Sequence, residues 1–415
     1  MGKTFVEKIF TKKAKKDVCA GEIVSVEPDF VMSHDNAAAI SRTFKKIGVK
    51  NVKYPERVVI ILDHEIPAPK ESSAINHKEI REFVKEQAIS NFFDINNGIC
   101  HQVFTEQGFA LPGKLIVGSD SHTTTYGALG AMSAGIGRSE VASIWATGEL
   151  WFQVPETIKI IVKGKMPEYI TAKDIALYII GQIRSDGADY KAVEFVGDIV
   201  SHMSIAERMV LCNMAAEMGA KNGYVQPDHT TFNYIKERAR TEYETLYSDK
   251  DVKYYKTIEF DISKISPSIA KPHTVDNYAP IEELEGKTID QALIGTCTNG
   301  RLIDLEMAAK ILKGRKVKIR TLIIPASWNI YREAIKKGFI EIFIDAGALV
   351  LNPGCGPCLG AHMGVMAPGE KTFSTANRNF KGRMGCREAE IYLGSPLSVA
   401  ASAIAGEITD PRRFL

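Results

Sequence analysis

Short β-branched runs, each followed by a polar or glycine-rich loop and then by apolar residues at helical spacing, recur along the chain. RVVIIL (residues 57–62) leads into Asp63-His64-Glu65, and KLIVG (114–118) leads into Ser119-Asp120-Ser121-His122 and a small-residue helix from about Ala128. QALIG (291–295) leads into Thr296-Cys297-Thr298-Asn299-Gly300 and the helical LIDLEMAAKIL (302–312). GALVLN (347–352) leads into Pro353-Gly354-Cys355-Gly356-Pro357-Cys358. Strands alternating with helices in this way predict α/β layers with largely parallel sheets. No fixed-period repeat points to a solenoid. Each reactive group follows a strand and precedes a helix, the crevice where ligands bind in open α/β sheets. Helix amino termini there favour thiolates and carboxylates.

Four such loops from distant stretches predict several domains sharing one cleft. FQVPETIKI, around Pro155, reads as a hinge, and no glycine occurs between Gly223 and Gly286. The expected division is 1–155, an α/β domain with the Asp-His and Asp-Ser-His groups; 156–281, a second α/β domain with an extended crossover; and 282–415, a third carrying the cysteines.

Composition narrows the class. The 415 residues are 45% hydrophobic and 25% charged, as in globular proteins and unlike disordered ones. Lys+Arg 52 against Asp+Glu 50 leaves +2, so no basic excess advertises nucleic acid. No apolar run approaches the roughly 20 residues of a membrane span. The basic start lacks the apolar core of a secretory signal, so a cytoplasmic protein is expected.

Seven cysteines, an odd number scattered along the chain, argue against a disulfide framework. Cys19, Cys100, Cys212 and Cys386 read as ordinary thiols. Cys355 and Cys358 have ligand spacing, and Cys297, in its own glycine-flanked loop, is the natural third ligand. Spacing alone fits an iron–sulfur cluster or a zinc site completed by His362 or water about equally, with a redox dithiol third. Asp63-His64 and Asp120-Ser121-His122 set carboxylates beside imidazoles, which suits proton transfer near neutral pH. Asn377, Arg378 and Arg383 concentrate donors able to clamp carboxylates. These groups together point to a lyase acting on a polycarboxylate.

VGSDSHTTTYGALG, GTCTNGRLIDL, NPGCGPCLGAHMG and STANRNFKGRMG resemble the aconitase superfamily, as do DHEIP, GICHQVF, CNMAAEMGAK and GEITDP. They cover nearly the whole chain in family order. The resemblance implies three α/β/α domains around a 4Fe-4S cluster held by Cys297, Cys355 and Cys358, one iron lacking a cysteine and binding substrate. It implies that Asp63 and His64 protonate the leaving hydroxyl, that His101 and Glu217 form a second pair, and that Asp120 and His122 surround the iron-bound water. Ser121 and Asn213 match polar pocket residues, Asn377 a cluster neighbour, Arg378 and Arg383 carboxylate binders, and His34 a substrate contact. The chain stops at Leu415, where single-chain relatives continue into a swivel domain with a catalytic serine. A separate small subunit is therefore expected to supply that domain and its base.

The implied activity is a hydro-lyase interconverting 2- and 3-isopropylmalate in leucine biosynthesis. Homocitrate, dimethylmalate or citraconate-type substrates are the alternatives. An RNA-binding regulatory relative is the alternative of another class, for which the near-zero charge gives no support.

Overall fold

Strands with apolar residues on both faces must be covered on both sides, and that requirement organises the molecule. In the computed structural model, which describes residues 2–415, three large sheets meet around one shared core. The first is parallel, in the order Asn91–Phe93, Val58–Ile61, Phe30–Ser33, Leu115–Gly118, Met132–Gly135. The second is also parallel: Asn222–Val225, Ala192–Val196, Thr157–Lys163, Lys256–Asp261. The third has seven strands: Tyr278–Pro280, Ser268–Ala270, Glu390–Leu393, Lys371–Ser374, Gln291–Gly295, Arg320–Ile324 and Leu349–Val350. Its pairings are parallel except at Ser268–Ala270, which is antiparallel to both neighbours. Ile23–Val26 and Leu150–Gln153 form a separate antiparallel ribbon.

Alternation along the strands divides the apolar side chains between cores. Val59 and Ile61 join Ile158, Ile160 and Leu293 in the core common to all three sheets. Val58 and Ile60 face the opposite way into a second core, while Ala292 and Ile294 enter a third. Each fully buried large aliphatic contributes roughly 1.5–3 kcal/mol, so the shared core fixes the sheets relative to one another and with them the loops at their carboxyl ends.

Two expectations are corrected. The stretch after His122 is not a helix from Ala128: Ser121–Leu129 is a 3₁₀ run, and Met132–Gly135 is a strand. Gly130 ends the run in the left-handed region (φ 81), and the following residues pair with Leu115–Gly118. The crossover also divides differently. Lys256–Asp261 stays with the second sheet, but Ser268–Ala270 and Tyr278–Pro280 belong to the third, so the 281/282 edge falls too late. Backbone hydrogen bonding decides this, since Ala270 pairs with Leu393. Among the described residues, no helix is long and apolar enough to cross a membrane.

Candidate active site

The carboxyl ends of the first and third sheets converge on one pocket. His34 follows Phe30–Ser33, Asp63 follows Val58–Ile61, and Asp120 follows Leu115–Gly118. Cys297 follows Gln291–Gly295, Asn377 follows Lys371–Ser374, and Cys355 follows Leu349–Val350. The strand-to-helix turn before Cys297 is tightly built. Gly295 has φ 148, where a Cβ would lie 2.4 Å from the Ile324 carbonyl oxygen. Thr296 is also left-handed, at φ 73, a conformation that a β-branched residue holds only when its surroundings impose it.

The three cysteines are buried and free. Cys297 Sγ receives N–H donors from Asn213 Nδ2 at 3.4 Å and Asn377 Nδ2 at 3.3 Å. Cys358 Sγ lies 3.7 Å from Asn377 Oδ1 and 3.8 Å from Arg383 Nη2. Cys355 donates to Cys358, whose thiol is held well below its ordinary range by that bond and by Arg383. Burial pushes Cys297 up to about 12, so a metal that displaces its proton relieves the site.

Sulfur spacing bears on which group fits. Tetrahedral zinc, with Zn–S near 2.3 Å, needs sulfurs about 3.8 Å apart. Cys355 and Cys358 are in hydrogen-bonding contact, but the three sulfurs do not all lie within 4.8 Å of one another, unlike the ligand atoms of the histidine–carboxylate groups nearby. A triad too wide for one ion to reach all three sulfurs, N–H donors around sulfur and a glycine at 356, where a Cβ would meet the His362 ring at 1.9 Å, suit an iron–sulfur cluster better than one ion.

Above the cysteines runs a connected histidine–carboxylate chain. Asp63 Oδ2 accepts the Cys100 N–H at 2.7 Å, and Asp63 Oδ1 meets His64 Nδ1 at 2.5 Å. The turn itself is cradled by Asp35, which accepts the N–H groups of Asp63, His64 and Glu65 and meets His77 Nε2 at 2.8 Å. His64 Nε2 faces Asp120 Oδ2 at 3.9 Å. Burial works against the His64 charge, but Asp63, with Asp35 and Asp120, lifts its pKa to about 9. His34 stacks on His64, centroids 3.8 Å apart, and burial with that neighbouring charge lowers it to about 4.

The second pair is not the one expected. His101 does not reach Glu217; its Nε2 meets Asp120 Oδ1 at 2.9 Å and its Nδ1 meets the Tyr126 hydroxyl at 3.1 Å. His122 takes Glu217, with Nε2 to Oε1 at 2.8 Å, because the 3₁₀ run turns it toward Ala215–Met218. Arg378 Nε donates to the same Glu217 oxygen at 2.8 Å. Asp120 also accepts the His122 N–H, so it joins both imidazoles, which hold it well below the carboxylate range against its burial.

Asn213, Asn377 and Arg383 sit against the cysteines. Ser121 instead is exposed and lines a groove with Gly137, Glu140 and Lys221.

Two residues here escape motif reasoning. Arg301, buried, donates to the Cys297 and Thr298 carbonyls at 2.8 and 2.7 Å. Lys173, also buried, donates to the Ala376 and Thr375 carbonyls at 2.6 and 3.1 Å. Helical spacing carried a signal for Lys173, which shares a face with Ala176, Leu177 and Ile180.

The profile of the aconitase family (aconitate hydratase) matches residues 7–406. The chain is 49% identical to "3-isopropylmalate dehydratase large subunit 1" of Methanopyrus kandleri, over 100% of both chains. It is 54% identical to a "Probable methanogen homoaconitase large subunit" of Methanosarcina mazei, over 93% of this chain and 99% of that one. Among solved structures, aconitase X of Thermococcus kodakaraensis shares the fold, with TM-score 0.53 at 13% identity over 92% of this chain and 93% of its own. That family implies a 4Fe-4S cluster, in keeping with the sulfur spacing, and relatives called large subunits imply a separate small one. The profile and the full-length identities together show that the chain belongs to the aconitase family.

Proposed function

We propose that the chain is the cluster-bearing large subunit of a hydro-lyase that interconverts 2- and 3-isopropylmalate by removing and returning water. The observation that carries the reading is the continuous chain His64–Asp120–His122–Glu217–Arg378 beside three converging cysteines. Cys297, Cys355 and Cys358 would hold a 4Fe-4S cluster, which would supply Lewis acidity toward the substrate. The other work falls to side chains.

His64, held by Asp63 through Nδ1 and charged at neutral pH, presents an Nε2 proton to a departing hydroxyl. Asp120 lies next to that nitrogen and passes charge to His101 and His122. Glu217 orients His122 and Arg378 together. Arg378 has only its Nε engaged, so its outer N–H pair can take a substrate carboxylate bidentately, with Arg383 taking a second. Removing the proton on the adjacent carbon falls to the small subunit's serine, so this chain alone does not turn over. The relatives named for isopropylmalate support the substrate.

The Methanosarcina relative's name favours homocitrate as a second reading. The test is to reconstitute the chain anaerobically, add its small subunit, and compare kcat/KM for the two substrates. An isopropylmalate preference of tenfold or more, about 1.4 kcal/mol, is expected. Preference for homocitrate would overturn the assignment, and activity of the large subunit alone would refute the divided site.

A further inference from the structure

Lys173 combines three features that each disfavour a lysine. Its relative exposure is 0%, and ammonium groups are rarely buried without a partner. It lies in the first turn of helix Ala172–Ile183, where the helix dipole repels a cation. Among the described residues, no carboxylate lies within ion-pair distance, and its donors go to two carbonyls, Thr375 and Ala376, and the Met214 sulfur at 3.7 Å. Neighbouring Asp174 is committed elsewhere, accepting from Thr171 and from the Ser268 N–H. The charged groups around the ammonium are, in order of influence, Cys358, Cys297, Glu217 and, least, Asp174.

A buried cation in this setting needs negative charge close by, and the thiolates of the pocket supply it once their protons are displaced. The two carbonyls that it holds immediately precede Asn377, whose Nδ2 donates to Cys297 Sγ. We propose that Lys173 is a positioning residue that serves as internal counter-cation to the loaded cysteine site, bracing the Thr375–Ala376 peptide behind Asn377 while offsetting the charge of the bound cluster. The inference rests on the cluster reading above.

The test compares wild type with the neutral Lys173→Met and Lys173→Gln and the charged Lys173→Arg, each reconstituted anaerobically with ferrous iron and sulfide. Circular dichroism and melting of the metal-free chains report folding. Both neutral variants are expected to fold, to lose iron and sulfide several-fold faster than wild type on gel filtration, and to show a more negative cluster reduction potential, since a nearby positive charge favours the reduced form. Lys173→Arg is expected to recover most of the retention and the potential. Wild-type potential and retention in the neutral variants would overturn the inference. Equal loss of stability in all three variants without a charge-dependent change in potential would do the same, by reducing Lys173 to a packing role. A wild-type chain that takes up neither iron nor sulfide would remove the cluster reading, and this inference with it.

Discussion

Asp120 has one oxygen shared by His101, His122 and the His122 backbone N–H, and its other oxygen turned toward His64. A single carboxylate thus orients His101 and His122 while its second oxygen faces His64. Asp63 does the same for His64 alone, so Asp63→Asn is expected to lower kcat of the assembled enzyme by roughly 10²–10⁴ with KM little changed. Steady-state kinetics that show a KM effect only would assign Asp63 to binding instead. His34 permits a second prediction. It stays neutral when folded, with its pKa lowered from 6.5 to about 4, beneath His64 and facing Asp35, Asp63 and Asp120. The unfolded chain takes up this proton first, so the contribution to stability is complete above pH 6.5 and is lost as pH falls toward about 4. The loss is at most about 3 kcal/mol. Urea unfolding of the metal-free chain across that range should show a shallower slope in His34→Asn than in wild type.

At the scale of elements, the strand–loop–helix rhythm was legible because period-two burial and turn residues are written locally. The strands before Asp63, Asp120 and Cys297 lie where the pattern sets them. The 3₁₀ run at Ser121–Leu129 was not legible, because its geometry depends on a distant contact: a Cβ on Gly127 would lie 1.6 Å from the Gly223 carbonyl oxygen. The partner of His122 depends on that same packing, so the pairing of His101 with Glu217, which the family resemblance implied, could not be checked from local sequence. Lys173 and Arg301 were missed for a related reason, since their partners are backbone carbonyls that no motif records. The Gly295-Thr296 turn is the element on which the placement of Cys297 depends most. Gly295→Ala places a methyl against the Ile324 carbonyl and is expected to destabilise the fold by more than about 1 kcal/mol. A lowered melting temperature with reduced iron uptake would bear this out, whereas unchanged values for both would show that the turn relaxes. Thr171 caps the helix that carries Lys173 in a reciprocal box with Asp174. Thr171→Ala should cost about 1 kcal/mol in thermal unfolding.

Across the whole molecule, residues far apart in sequence meet because three sheets share one core, and the first and third open their carboxyl ends onto the same pocket. This arrangement explains how Asp63, Cys297 and Asn377, each in its own loop, form a single pocket with no local sequence relation. The central claim is that the pocket is built for an iron–sulfur cluster. Its most direct test is iron, acid-labile sulfide and zinc analysis of the chain after anaerobic reconstitution, beside Cys297→Ser. About four irons and four sulfides per chain are predicted for wild type, with neither retained in the variant. Stoichiometric zinc without sulfide would contradict the account and leave Cys297, Cys355 and Cys358 as ligands of a structural ion.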